Sequence, residues 1–184
     1  MADSHKEREW LSFVQKGQYQ LKGKLNSNVQ IVCGKATVAY LISSRDEAKQ
    51  IQTYDLVQAE NTPPAYRFVR TEKSLVGIDP ESGKTEFTWE RLSSGLGELF
   101  TGSKWQCGTL TLSQNAVRSL SMWLPRFSWF IPTKYTVKES ERCCGIISGA
   151  VFTASNAKTA TVNDPAKAWE ILAAAIILSE DEIG

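Results

Sequence analysis

The C-terminal part of the chain constrains the fold most, because it contains an unbroken apolar run from Ile171 to Leu178. Asn163–Asp164–Pro165 precedes this run and is typical of a helix start, with a side-chain oxygen to cap free amides and Pro at the first helical position. A helix without a polar face is either buried on all sides or lies in a membrane, and a span needs about 20 apolar residues. We therefore predict a helix over 165–178 that is enclosed by the rest of the protein.

Acidic residues follow the apolar run, in the segment Ser179–Glu180–Asp181–Glu182–Ile183–Gly184. Negative charge is unfavourable at the C-terminus of a helix, where the helix dipole is itself negative. We expect these acids to lie beyond the end of the helix or to pair with a cation.

The rest of the chain consists of short segments that alternate with period two or are rich in β-branched residues, separated by Gly, Pro or polar clusters. Helical segments do not alternate with them, which favours antiparallel pairing. Strands are predicted from Gln18 onward, with further runs at 29–33, 36–42, 50–58, 66–70, 74–78, 84–91, 105–112, 127–131, 135–138, 146–153 and 159–162. A closed barrel removes sheet edges, and a wide barrel needs apolar filling. The predicted fold is mainly β, a closed antiparallel β-barrel around a buried C-terminal hydrophobic helix.

The 184 residues fit one domain. Trp10, Phe13 and Val14 have helical spacing, so residues 1–17 are predicted to form an N-terminal arm or a short helix. Residues 18–184 are predicted to form a single β-barrel domain whose terminal helix spans 165–178. Within it, Asp79–Gly83 has the composition of a hairpin turn.

Few residues suit catalysis or metal binding. His5 is the one histidine, which argues against Ser–His–Asp and Cys–His mechanisms. The four cysteines, Cys33, Cys107, Cys143 and Cys144, lack the spacing of structural zinc ligands and are predicted to be free thiols. We predict no catalytic residues, no metal site and no cofactor, and hence a protein that is not an enzyme.

Charge and hydropathy predict a cytoplasmic protein that can lie peripherally at a membrane. The N-terminal residues are charged and lack the apolar core of a signal peptide, and no run is long enough for a transmembrane segment. The formal net charge of +1 argues against nucleic acid as a partner.

Residues 99–138 contain no Asp or Glu, and we call them the acid-free window. Its cations and tryptophans fit three interpretations: alternate core and wall positions of barrel strands, a membrane surface that attracts anionic lipid, or base stacking on single-stranded nucleic acid. The ligand-binding residues predicted for the membrane interpretation are Arg118, Arg126, Lys134, Lys138, Trp123 and Trp129. The sequence leaves open whether the aromatic residues of 121–134 are core or surface.

The segment from Ala168 to Ile183, an apolar helix that exits on acidic residues, resembles the terminal helix of LURP-one-related proteins and small fungal tubby-like proteins, in the tubby C-terminal-like superfamily. The strand order and the turn at Asp79–Gly83 are compatible with that family. The resemblance implies a barrel wrapped around its last helix. It also implies relatives that bind phosphoinositides or act on membrane phospholipids.

The predicted function is a non-enzymatic cytosolic module that binds anionic membrane phospholipid or phosphoinositide. One alternative is a carrier of small apolar ligands with a lipocalin-like barrel, which requires the helix to pack outside the lumen. The other alternative is a protein–protein interaction scaffold without a small ligand; the sequence identifies no protein partner.

Overall fold

Twelve antiparallel strands of the computed structural model close into one barrel, in which each strand pairs with its neighbours in sequence and β1 pairs with β12. The structure describes residues 9–15, 17–23, 28–92, 104–114, 134–149 and 157–181. The strands are β1 (Gln18–Lys22), β2 (Val29–Cys33), β3 (Ala36–Asp46), β4 (Ile51–Val57), β5 (Tyr66–Arg70), β6 (Ser74–Ile78), β7 (Thr85–Leu92), β8 (Lys104–Cys107), β9 (Leu110–Gln114), β10 (Lys134–Glu139), β11 (Arg142–Gly149) and β12 (Lys158–Val162). The predicted closed antiparallel barrel is confirmed.

The helix α1 (Ala168–Asp181) follows a short 3₁₀ turn at Pro165–Lys167. Asp164 caps this start as the sequence predicts, because its Oδ1 accepts a hydrogen bond from the Ala166 amide at 3.1 Å. Every residue from Ile171 to Leu178 is at most 3% exposed. The helix contacts β11 and β12 on one side of the ring and β6 and β7 on the other, so it lies inside the barrel. The predicted enclosed helix is confirmed.

The helix extends three residues further than predicted, through Ser179, Glu180 and Asp181. Ser179 is buried, and its hydroxyl donates to the Ala175 carbonyl oxygen at 2.7 Å, one helical turn back. A serine bonded in this way satisfies its polar group without ending the helix. Of the two alternatives expected for the acids, a position beyond the helix end is therefore wrong for Glu180 and Asp181, and pairing with a cation stays a prediction.

Three strand predictions also need correction. The strand predicted at 36–42 continues four residues further, because β3 ends at Asp46. The run 105–112 is a hairpin of β8 and β9, with Gly108 at φ +55° in the turn between them. The strand predicted at 146–153 begins earlier, because β11 starts at Arg142. Periodicity does not reveal a two-residue turn inside an apolar run, and it locates strand ends poorly. The run predicted at 127–131 lies outside the described residues.

The barrel has two ends, which we name after the helix: α1 begins at the entry end and finishes at the exit end. The turn at Asp79–Gly83 lies at the entry end and is confirmed as a hairpin turn, because the Asp79 amide donates to the Lys84 carbonyl oxygen at 3.0 Å. Gly83 adopts φ +66°, which glycine accommodates without strain. The N-terminal segment Glu9–Gln15, a 3₁₀ helix with Phe13 and Val14 buried, also packs at this end.

Aromatic stacking fixes the first turn of α1 against the barrel wall. The Trp169 ring stacks on Tyr66 with ring centroids 4.4 Å apart, and the Tyr66 hydroxyl donates to Glu86 Oε2 at 2.7 Å. Trp89 Nε1 donates to the Glu170 carbonyl oxygen at 3.0 Å, so a wall residue also binds the helix backbone. Gly77 leaves room for this arrangement, since an added Cβ would lie 2.8 Å from the Tyr66 hydroxyl oxygen.

Glu170→Gln is expected to stabilise the protein at neutral pH. Burial raises the pKa of the Glu170 carboxyl above its ordinary value, and Glu86 and Asp164 add to the rise while Lys167 opposes it. The pKa of Glu170 is thus higher in the folded protein than in the unfolded chain, so the protonated carboxyl favours folding. This stabilisation is present below the pKa of the unfolded chain and is lost as pH rises through the pKa of the folded protein. Thermal unfolding should show a higher Tm for the variant at about pH 7, and a smaller difference near pH 4. A lower Tm for Glu170→Gln than for wild type at pH 7 would contradict the raised pKa of Glu170.

Candidate functional site

Charge is distributed unequally between the two ends of the barrel in the described residues. The exit half carries nine cations and six acids: Lys22, Arg45, Lys49, Arg70, Lys73, Arg91, Lys104, Lys134 and Lys158, against Asp46, Glu47, Glu72, Glu90, Glu180 and Asp181. The entry half carries six cations and ten acids: Lys35, Arg67, Lys84, Lys138, Arg142 and Lys167, against Glu9, Asp55, Glu60, Asp79, Glu81, Glu86, Glu139, Glu141, Asp164 and Glu170. The barrel is thus basic at the exit end and acidic at the entry end.

This distribution complements the enclosed helix. The positive N-terminal end of the α1 dipole meets the acidic entry end, and its negative C-terminal end meets the basic exit end. The charge asymmetry therefore has a structural role.

Cations point into the barrel at the exit end. Arg70 follows Tyr66 and Phe68 on the inward face of β5, is 8% exposed, and holds its guanidinium carbon 4.5 Å from the Trp105 ring centroid. Lys158, on β12, is 3% exposed. Buried cations of this kind persist only with compensating partners, and each of these two has further interactions in the structure.

The rim of the exit end combines exposed cations with an apolar side chain. Lys22, Lys104 and Lys134 are exposed, and Lys104 lies opposite Leu92 in the β7–β8 pair. Leu92 is 41% exposed and is the one large apolar side chain classed as exposed among the described residues. Lys104 next to Leu92 gives this part of the rim both charge and an apolar contact point, while Lys134 on β10 and Lys22 on β1 add charge further around the ring.

The structure separates the predicted ligand-binding residues that it describes. Lys134 begins β10 at the exit end, whereas Lys138 lies near the entry end of the same strand, at a distance of about 13 Å for four residues of extended chain. Arg118, Arg126, Trp123 and Trp129 lie outside the described residues. Their segment departs from Gln114, the last residue of β9, and returns at Lys134, both at the exit end.

Sequence reasoning overlooked Arg70, Lys158 and Leu92 as site residues. A signal existed for Arg70, because it continues the period-two series of Tyr66 and Phe68 and so must share their inward face. Charged side chains are almost always assumed to face solvent, and this assumption hid the signal. Leu92 gave no signal, since exposed single leucines are ordinary in any sequence.

The cysteines of the protein are free thiols. Burial raises the pKa of the Cys107 and Cys144 thiols, which disfavours the nucleophilic thiolate form. Within the described ranges, no three His, Cys, Asp or Glu side chains converge in a way that could hold a metal ion. In the same part of the chain, no helix has the length and apolar content that crossing a bilayer would require.

Comparison of the chain with protein-family models, with curated proteins and with solved structures gives no match.

Proposed function

We propose that the protein is a non-enzymatic module that docks on anionic membrane phospholipid through the exit end of its barrel. The observation that carries the proposal is the separation of charge: the rim with Lys22, Lys104, Lys134 and exposed Leu92 lies at one end, opposite the acidic end. This arrangement orients the protein, because an anionic surface attracts the exit end and repels the entry end.

The magnitude of the attraction is sufficient for reversible docking. Each Lys or Arg near an anionic membrane contributes about 1 kcal/mol, so a few rim cations acting together give useful and salt-sensitive binding. Leu92 adds apolar contact at the level of the headgroups, in the way that interfacial anchors do. The two strand ends that flank the undescribed part of the acid-free window, Gln114 and Lys134, both lie at this end, and Arg118 and Arg126 within that part remain predicted ligand-binding residues.

The proposal includes membership in the tubby C-terminal-like superfamily. Its support is the resemblance of the C-terminal segment together with a barrel that encloses this same segment as a helix. Phosphoinositides are then the anionic lipids of first interest, because relatives in that family bind them.

The enclosed helix weighs against the alternative of a small-ligand carrier. That function needs an open lumen, and the residues from Ile171 to Leu178 occupy it. The scaffold alternative is compatible with the barrel, and the entry end offers a surface for it, which is described below.

Vesicle co-sedimentation tests the proposal. We expect wild-type protein to sediment with vesicles of phosphatidylcholine that contain phosphatidylserine or a phosphoinositide, and to remain soluble with phosphatidylcholine alone. Binding should weaken as salt rises, because surface charges are screened within about 10 Å at 0.1 M ionic strength. Failure to bind anionic vesicles even at low salt would overturn the proposal.

A further inference from the structure

An open groove of about 510 Å³ lies at the entry end, opposite the proposed lipid-docking surface. Three elements build it: the N-terminal 3₁₀ helix through Trp10, the β4–β5 loop through Pro63 and Pro64, and the β6–β7 turn through Pro80 and Glu81. Its volume is in the range of protein sites that bind small molecules or peptide side chains. The aromatic and proline side chains give the groove an apolar lining.

The wall formed by the β4–β5 loop is fixed by local hydrogen bonds. The Thr62 hydroxyl donates to the Ala59 carbonyl oxygen at 2.7 Å and accepts from the Ala59 amide at 3.2 Å. The Ala65 amide donates to the Leu56 carbonyl oxygen at 2.9 Å, and Pro63 and Pro64 restrict the backbone between these anchors. This wall needs little reordering when a partner binds.

The opposite wall is fixed as well. Asp79 Oδ1 accepts from the Glu81 amide at 3.2 Å, and Asp79 Oδ2 accepts from the Ser82 hydroxyl at 2.9 Å. Preformed walls reduce the entropy lost on binding, which favours even a short ligand. Both of these walls are therefore formed before any partner binds.

The charge around the groove is negative. Arg67 lines it, but the Arg67 guanidinium is held by both carboxylate oxygens of Asp55, at 2.6 and 3.0 Å, so this pair adds no net charge. Glu81 lines the groove and is exposed, and Glu60 is exposed on the loop that forms one wall, where its Oε1 accepts a hydrogen bond from the Asn28 side chain at 3.4 Å. Lys84, exposed beside the opposite turn, offsets one of these two negative charges. An apolar groove with acidic side chains at its margin complements a ligand that is cationic and partly apolar.

We propose that this groove binds a basic peptide segment of a partner protein, with an apolar or prolyl residue against Trp10 and the prolines and with Lys or Arg beside Glu60 and Glu81. Trp10 also offers a ring face for a guanidinium or ammonium group. The chain carries a formal net charge of only +1, so cationic peptides are drawn by this local field and not by the protein as a whole. Because the groove and the basic rim are at opposite ends, peptide and membrane can be bound together.

Selection from a random library of short peptides, in the absence of lipid, tests the proposal. We expect the enriched peptides to be rich in Lys and Arg with an interspersed Pro or aliphatic residue. Fluorescence anisotropy with a labelled enriched peptide then compares wild type with Glu60→Lys/Glu81→Lys. Reversing two charges next to a cationic ligand should weaken binding at least about tenfold.

Glu47→Lys/Glu72→Lys is the matched control, since it makes the same change in net charge with two exposed glutamates at the exit end. This control should bind the peptide as wild type does. The proposal is overturned if selection enriches neutral or acidic peptides or none, or if Glu60→Lys/Glu81→Lys binds as well as the control. The lipid proposal is independent of these outcomes, because the assay contains no membrane.

Discussion

Ala174→Asp is expected to unfold the protein. Ala174 lies in the middle of α1, is fully buried, and has only apolar neighbours along the helix from Ile171 to Leu178. A carboxylate there would be an unpaired buried charge, which costs about 3–5 kcal/mol or more, a large part of the 5–15 kcal/mol that stabilises a typical domain. Circular dichroism during thermal unfolding should show a large loss of Tm or no folded baseline.

Ala166→Asp is the control for this substitution. Ala166 is exposed in the turn before α1, where negative charge near a helix N-terminus is tolerated. We expect this variant to melt within a few degrees of wild type. A wild-type melting curve for Ala174→Asp would mean that the helix is not enclosed by the barrel.

Lys104→Glu/Lys134→Glu is expected to abolish vesicle binding while leaving the fold intact. Both lysines are exposed at the exit-end rim, and surface substitutions away from packing usually cost within about 0.5 kcal/mol. The two reversals change the charge facing the membrane by four units. At about 1 kcal/mol for each charge, affinity for anionic vesicles at low salt should fall at least about a hundredfold.

Lys35→Glu/Lys84→Glu makes the same change in net charge with exposed lysines at the entry end. Co-sedimentation of this variant should resemble that of wild type. Equal losses in both double variants would show that net charge governs the binding, and the orientation proposed here would then be wrong.

The enclosed helix could be predicted from the sequence because few structures can accommodate a helix that is apolar on every side. The apolar run from Ile171 to Leu178 has no polar face, and Asp164 with Pro165 gives the helix start directly. The strands were recognisable for the same reason, since Tyr66–Arg70 and Ser74–Ile78 are found with the predicted bounds. The fold class could thus be predicted from patterns that depend only on residues close together in sequence.

The charge separation could not be predicted, because it depends on which strand ends meet at the same end of the ring. The acid-free window groups Lys134 with Lys138 in sequence, yet both lie on β10, whose extended backbone places them toward opposite ends of the barrel. Lys22, Lys104 and Lys134 share one end of the ring only through the closed topology. Long-range pairing of this kind leaves no trace in a local window of sequence.

The most direct test of the central claim measures which end of the barrel touches the membrane. An environment-sensitive fluorophore is attached at Leu92→Cys on the exit-end rim or, as the comparison, at Glu81→Cys on the entry-end turn. Both are made with Cys33 and Cys143 replaced by Ser, because these two native cysteines are partly exposed, whereas Cys107 and Cys144 are buried. With anionic vesicles, the emission of the Leu92 label should shift to the blue and rise, and that of the Glu81 label should stay unchanged. A shift at Glu81 without one at Leu92, or no shift at either position, would contradict docking through the exit end.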